Sequence, residues 1–107
     1  MLFRSLTKNL VAFARDQEPK EVYFDINEKI NLVVNLLKND LGLIRVIREF
    51  QPDIPELLAD PGMIEHALAN LVQNAIHAMG REKAPQLTIK TRSKESRLEI
   101  EIGRAHV

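Results

Sequence analysis

The dipeptide Asp60-Pro61 constrains the fold of this chain more than any other local feature. An aspartate side chain can accept hydrogen bonds from the free N–H groups of a helix's first turn. Proline fits the first helical position because the N–H that it lacks would have no partner there. We therefore predict a helix that begins at Pro61, runs to about Met79 and is stopped by Gly80.

The predicted helix has two unlike faces when its residues are placed at about 3.6 per turn. One broad arc is apolar and contains Ala67, Leu68, Leu71, Val72, Ala75, Ile76 and Met79. The opposite arc carries amides and imidazoles, from His66, Asn70, Gln73, Asn74 and His77. No Asp, Glu, Lys or Arg occurs between His66 and Gly80, although 28% of the chain is charged. Exposed helix faces normally carry Glu and Lys, so this neutral polar face is unusual.

Two interpretations of the polar face are open. It is either an ordinary solvated surface or the floor of a cleft that hydrogen-bonds a ligand or offers an amide oxygen to a hard cation such as Mg²⁺. A zinc site is not expected, because His66 and His77 are separated by about three helical turns with no carboxylate between them. The chain has no Ser/His/Asp or Cys/His arrangement and no paired carboxylates, so we predict no catalytic residue.

The remaining pattern predicts an α+β fold, a two-layer α/β sandwich in which helices lie beside a partly antiparallel sheet. Asp25 is expected to cap a helix from Ile26 to about Asn39, with Glu28 in the capping-box position. The strand at 42–50 has apolar residues on both faces, which predicts that both faces are covered. The other predicted elements are an amphipathic helix at 2–17, strands at 22–24, 86–92 and 97–102, and an extended stretch at 57–60.

Composition narrows the possible partners. Fifteen basic and fifteen acidic residues cancel, so net charge does not point to a nucleic-acid partner. The chain has no cysteine, which excludes disulfides and thiolate metal sites. No apolar run approaches the length of a membrane span. The helix at 2–17 either packs on its own domain or is the end of a longer helix in a bundle.

The segment "ADPGMIEHALANLVQNAIHAM" (59–79) resembles the N-box of sensor histidine kinases, which belong to the GHKL ATPase superfamily. Asn70, Leu71, Asn74 and Ala75 match the core pattern N-L-[LV]-x-N-A. The flanking segments resemble the family in the same order: "RSLTKNLVAFAR" the end of the dimerisation domain's second helix, "VYFDINEKINLVVNLLKNDL" the first strand and helix, and "IRVIREFQPDIPELLAD" the next strand and turn. The resemblance covers roughly residues 4–101.

The resemblance implies a division of the chain and a set of site residues. Residues 1–18 would be the C-terminal part of a dimerisation and phosphoacceptor helix, and residues 20–101 the N-terminal part of an ATP-binding domain. The implied cofactors are ATP and Mg²⁺. Asn74 would give its side-chain oxygen to Mg²⁺ bridging the ATP phosphates, Asn70 would line the phosphate end, and His77 would stand where many relatives place a Lys or other polar residue.

The implied parent is a two-component sensor histidine kinase. It would autophosphorylate on His with ATP, pass the phosphoryl group to the receiver domain of a response regulator, and form a homodimer through its upstream helices. This chain would be a cytoplasmic portion of it, with an inner-membrane anchor of the parent left open. The alternatives are another GHKL ATPase, such as an anti-sigma serine kinase, or a non-catalytic dimerisation module whose asparagine face is solvated.

Two expected kinase motifs do not occur in the sequence. None of the three histidines has the phosphoacceptor context H-E-[LIF]-x-x-P, and the Asp-x-Gly-x-Gly motif expected near position 104 is replaced by "GRAHV". The glycine-rich lid does not occur either. We therefore expect the 107-residue chain itself to be an inactive fragment of the kinase.

The peptide "IGRAHV" (102–107) suggests a non-native tail. The codons ATC GGA AGA GCA CAC GTC would encode it, and they resemble the start of a common sequencing adaptor. We predict that the source nucleotides at 102–107 read as this adaptor. A different choice of codons there would contradict the prediction and leave a chance peptide as the explanation.

Overall fold

The computed structural model describes residues 20–80 and 82–104. The predicted helix at 2–17 lies outside the described residues. The described elements are strand β1 (Val22–Phe24), helix α1 (Ile26–Leu36), the one-turn helix α2 (Lys38–Leu41), strand β2 (Arg45–Phe50), strand β3 (Leu57–Ala59), helix α3 (Pro61–Ala78), strand β4 (Gln86–Lys94) and strand β5 (Arg97–Arg104).

The strands form two sheets. In the larger sheet the order is β2-β4-β5, with β2 parallel to β4 and β4 antiparallel to β5. The short strands β1 and β3 pair antiparallel, so that Val22 lies opposite Ala59. Helices α1 and α3 pack on each other, and α3 also packs on β5. One layer of helices therefore covers one layer of mixed sheet, which confirms the predicted α+β two-layer sandwich.

The core lies between the helices and the inner face of the sheet. The alternation of β4 and β5 places one set of side chains inward and the other outward. On the outward face, opposite charges lie directly across from each other in the register, as in Lys90 with Glu49 and Arg92 with Glu99. The most deeply buried side chains are Ile26, Ile30, Ile64, Leu68, Val72, Met79, Leu87, Ile89 and Ile100.

Asp60 holds the start of α3, as its position in the sequence predicts. Its Oδ1 accepts hydrogen bonds from the backbone N–H groups of Gly62 at 2.9 Å and Met63 at 3.4 Å. Its Oδ2 accepts a third hydrogen bond, at 3.0 Å, from the backbone N–H of Lys20. The hydrogen bond from Lys20 is the main reason that the pKa of Asp60 is lowered, with the two cap hydrogen bonds acting in the same direction. One carboxylate thus ties the chain before β1 to the first turn of α3.

Asn27 joins the first turn of α1 to the sheet. Its Oδ1 accepts a hydrogen bond of 2.7 Å from the hydroxyl of Thr91, and its Nδ2 donates one of 3.1 Å to the carbonyl of Gln51. Thr91 is the one polar residue in the buried class among the described residues. Because a buried hydroxyl is costly without a partner, the Asn27 amide satisfies a group that the fold places inside.

The helix at 26–39 was predicted as one element, and the structure divides it. Helix α1 ends at Leu36, and the backbone of Leu37 leaves helical geometry before α2 begins. Gly42 then ends α2 with a φ of +56°, a conformation that favours glycine. Leu41, the last residue of α2, is part of the hydrophobic core.

The predicted role of Gly80 in ending α3 was wrong in its mechanism. Helix α3 ends at Ala78, with Met79 as the C-cap residue, and Gly80 does not adopt the left-handed conformation typical of a glycine stop. The N–H of Met79 instead donates to the carbonyl of Ile76 at 3.1 Å, which tightens the last turn. Met79 itself is buried in the core.

The prediction that strand 42–50 is covered on both faces was also wrong. Strand β2 lies at an edge of the larger sheet, and none of its residues is fully buried.

The predicted hairpin is confirmed and longer than expected, since β5 continues to Arg104. Ile102 lies opposite Ile89, and Arg104 forms an ion pair of 2.7 Å with Glu82. These contacts describe conformation only; the adaptor origin of 102–107 stays a prediction.

We expect Asp60→Asn to lower the stability of the chain in a pH-dependent way. The amide can still cap α3 through its oxygen, but it cannot accept the Lys20 hydrogen bond with its –NH₂ group. Because folding lowers the pKa of Asp60, the carboxylate's contribution is complete above its ordinary value of 3.8 and is lost as the pH falls through the folded-state value. Urea unfolding should therefore separate wild type and variant at pH 7, and the difference should narrow as the pH falls below 3.8. A difference that does not change with pH would contradict this.

We expect Asn27 and Thr91 to contribute to stability as a coupled pair. Asn27→Ala removes the partner of the buried Thr91 hydroxyl, and Thr91→Val removes a donor to the half-buried Asn27 amide, each at a cost of about 1–3 kcal/mol. The double variant should lose less than the sum of the two, with a coupling energy of about 1 kcal/mol in urea unfolding. Thr88→Val makes the same chemical change on β4 at a half-exposed position and should be close to neutral. Additive losses from Asn27→Ala and Thr91→Val would show that the pair is not coupled.

Candidate functional site

The polar arc of α3 lines an open groove with a volume of about 490 Å³. Burial of Ile64, Leu68 and Val72 on the opposite arc fixes the rotation of the helix, so the polar arc faces outward. We call this feature the asparagine groove. Its described lining residues are Asp40, Asn70, Gln73, Asn74, Ile76 and His77.

The three predicted site residues lie together in the asparagine groove. Asn70, Asn74 and His77 follow one another along α3 at helical spacing and all contribute to its lining. Asn70 is half-buried, whereas Asn74 and His77 are exposed. Their amide and imidazole groups can therefore reach a ligand in the groove. His66 was placed on the same arc by the sequence, but it does not line the groove.

Asp40 is a groove residue that the sequence did not reveal. It comes from α2, whose packing against α3 brings it beside the polar arc. Asp40 is exposed and belongs to none of the ion pairs among the described residues. Asp40 lies thirty or more positions before the groove residues of α3. No local pattern in the sequence therefore predicts that its carboxylate lies beside them.

The groups that line the groove suit a ligand that brings its own charge. Amide oxygens such as those of Asn70, Gln73 and Asn74 are hard, neutral ligands that Mg²⁺ and Ca²⁺ accept, and the amide –NH₂ groups can donate to anionic oxygens. Within 20–80 and 82–104, no three His, Cys, Asp or Glu side chains come together as a set of metal ligands. A metal ion in this groove would thus need further oxygen ligands from a bound anion, and the exposed amides fit such a shared site.

Two other grooves lie elsewhere on the described surface. The first, about 560 Å³, runs between the segment at 54–57 and the turn of the β4–β5 hairpin. The second, about 350 Å³, lies between α1, α2 and β2 and includes Lys38 and Arg48. Neither contains the run of amides found on α3, so the asparagine groove is the stronger candidate for a ligand site.

Comparison with known proteins identifies relatives of one functional class. The chain is 44% identical over 69 residues to the sensory histidine kinase/phosphatase NtrB of Salmonella typhimurium, a match that covers 64% of this chain and 20% of that protein. It is 38% identical over 69 residues to NtrB of Escherichia coli O157:H7, with the same coverage. It is 32% identical over 79 residues to the sensor histidine kinase ZraS of Klebsiella oxytoca, covering 72% of this chain and 17% of that protein. No family model matches the chain.

Solved structures give the same result for the fold. The catalytic domain of histidine kinase ThkA superposes with a TM-score of 0.72 at 24% identity, covering 82% of this chain and 60% of that chain. Histidine kinase ThkA in complex with response regulator protein TrrA superposes with a TM-score of 0.76 at 21% identity, covering 98% of this chain and 31% of that chain. Acinetobacter baumannii histidine kinase AdeS superposes with a TM-score of 0.66 at 18% identity, covering 98% of this chain and 52% of that chain.

The two-layer fold is thus that of a histidine kinase catalytic domain. By sequence, the chain is similar to the sensor histidine kinases NtrB and ZraS. It spans about one fifth of the length of the curated relatives that it matches. No helix within the described residues is both long enough and apolar enough to cross a bilayer.

Proposed function

We propose that this chain supplies the N-box wall of a Mg-ATP site in a two-component sensor histidine kinase. The observation that carries the proposal is the asparagine groove, in which half-buried Asn70 and exposed Asn74 and His77 form one polar stripe. Identity to the sensor histidine kinases NtrB and ZraS supports a histidine kinase rather than a serine kinase of the same superfamily.

Each groove residue has a proposed role toward the nucleotide. Asn74 is exposed and offers its amide oxygen to the metal ion, which needs oxygen ligands but no protein charge when phosphates bind it as well. Asn70 is half-buried and lines the phosphate end, where its –NH₂ group can donate to a phosphate oxygen. His77, one turn after Asn74, can donate an imidazole N–H to the same phosphates. Mg²⁺, when bound with ATP, would offset the charge that develops during phosphoryl transfer.

The whole kinase would use this site to phosphorylate a histidine. We propose that the parent autophosphorylates with ATP, relays the phosphoryl group to the receiver domain of a response regulator, and dimerises through helices that include residues 1–18. The crystal structure of histidine kinase ThkA in complex with response regulator protein TrrA supports such a partner. We place this chain in the cytoplasmic part of the kinase, with no nucleic-acid partner and no activity of its own in isolation.

We expect Asn74→Ala to weaken Mg-ATP binding about tenfold or more, because the groove loses an oxygen ligand to the metal. The measurement is calorimetric titration, with Mg-ATP as the ligand, of the parent kinase's whole ATP-binding domain, which we call the extended chain. Asn70→Ala should weaken binding less, since it removes a hydrogen bond to phosphate and no metal ligand.

Asn35→Ala is the matched control for these titrations. Asn35 is an exposed asparagine on α1, and it lines the groove at β2 instead of the asparagine groove. Its replacement should leave Mg-ATP affinity unchanged. If Asn74→Ala binds Mg-ATP as tightly as Asn35→Ala does, the assignment of Asn74 to the metal fails.

A further inference from the structure

The described lining of the asparagine groove carries a negative charge that has no part in the roles proposed for Asn70, Asn74 and His77. Its described lining contains one carboxylate, Asp40, and no Lys or Arg. Lys38 lies two positions before Asp40 but lines the groove at β2 instead. A polyphosphate that approaches α3 would therefore meet an acidic group without a fixed basic group to compensate for it.

This arrangement affects metal-free and metal-bound nucleotides differently. Metal-free ATP carries about four negative charges near neutral pH, and Mg²⁺ lowers that number by about two. The repulsion between Asp40 and the triphosphate scales with the ligand charge, so it is about twice as large for the metal-free form. Neutral amides such as Asn70 and Asn74 do not by themselves discriminate between the two forms through net charge.

We propose that Asp40 is a specificity-determining residue that makes the asparagine groove prefer metal-bound over metal-free triphosphate. The proposal rests on the proposed Mg-ATP function of the groove and deepens it. Asp40 acts through its charge across the groove, without contact with the transferred phosphoryl group, so it is not a catalytic residue.

The structure indicates that Asp40 can be changed without loss of the fold. Its side chain is exposed and has no ion pair among the described residues. Helix α2 is held instead by Leu41, which is buried in the core, and by Gly42 at its C-terminal end. Asp40→Asn therefore removes the charge and keeps the shape of the side chain.

The test uses the extended chain and measures two dissociation constants by calorimetry: one for ATP with excess Mg²⁺, and one for ATP with a chelator. At low ionic strength, Asp40→Asn should tighten Mg-ATP binding about threefold and metal-free ATP binding close to tenfold, so the preference for the metal-bound form falls about threefold. At high salt the change should shrink, because screening weakens the repulsion.

Two variants separate charge in the groove from other effects. Asp40→Glu keeps the charge and should keep the preference of the wild type. Asp53→Asn removes the same charge at a position after the end of β2, whereas Asp40 precedes the start of that strand, so the preference should not change. Asparagine also tolerates the positive φ of +59° found at Asp53.

Several outcomes would overturn the inference. The first is that Asp40→Asn keeps the wild-type preference for metal-bound ATP. The second is that Asp53→Asn or Asp40→Glu lowers this preference as much as Asp40→Asn does. The third is that Asp40→Asn lowers the preference by weakening Mg-ATP binding instead of tightening the binding of metal-free ATP. Failure of the proposed function is recognised separately, by Mg-ATP affinity that survives Asn74→Ala. If Asn74→Ala weakens Mg-ATP binding while Asp40→Asn leaves the preference unchanged, only the role of Asp40 fails.

Discussion

The structure depends on the burial of one face of α3. Ile64, Ala67, Leu68 and Val72 are almost completely removed from solvent between α1 and the sheet. Each large aliphatic side chain buried in this way contributes roughly 1.5–3 kcal/mol, as an upper estimate. Because these residues occupy a single arc, their burial fixes the rotation of the helix about its axis. The neutral polar arc then has to face outward, and the candidate site is a direct consequence of core packing.

The supports of α3 lie far apart in the sequence. Asp60 caps the helix and, through its second oxygen, holds the backbone at Lys20. Asn27 links the helix layer to the sheet through Thr91 and Gln51. The ion pair between Lys29 and Glu65, 2.8 Å long, joins α1 to α3 directly. The "FDINE" segment therefore combines a cap at Asp25 with a cross-layer contact at Asn27, which gives a structural reason for the residues that resemble the kinase pattern.

The sequence predicted the features that local chemistry determines. The start of α3 followed from Asp60-Pro61, and the hairpin followed from two alternating segments, because caps and alternation are short-range effects. The grouping of Asn70, Asn74 and His77 needed only the period of the helix. The edge position of β2 and the place of Asp40 beside α3 depend instead on packing between distant elements. The end of α3 was predicted to within one residue, but Gly80 does not take the left-handed conformation of a glycine stop.

The central claim is that the polar arc of α3 is one wall of a Mg-ATP site, and a paramagnetic metal tests it most directly. Mn²⁺ can replace Mg²⁺ on ATP and broadens the NMR signals of nuclei close to it. In the extended chain, substoichiometric Mn-ATP should broaden the side-chain amide signal of Asn74 first, then those of Asn70 and Gln73. The amide signals of Asn27 and Asn35, which lie outside the groove, should stay sharp. Broadening that spares Asn74, or that affects all five amides alike, would contradict the account.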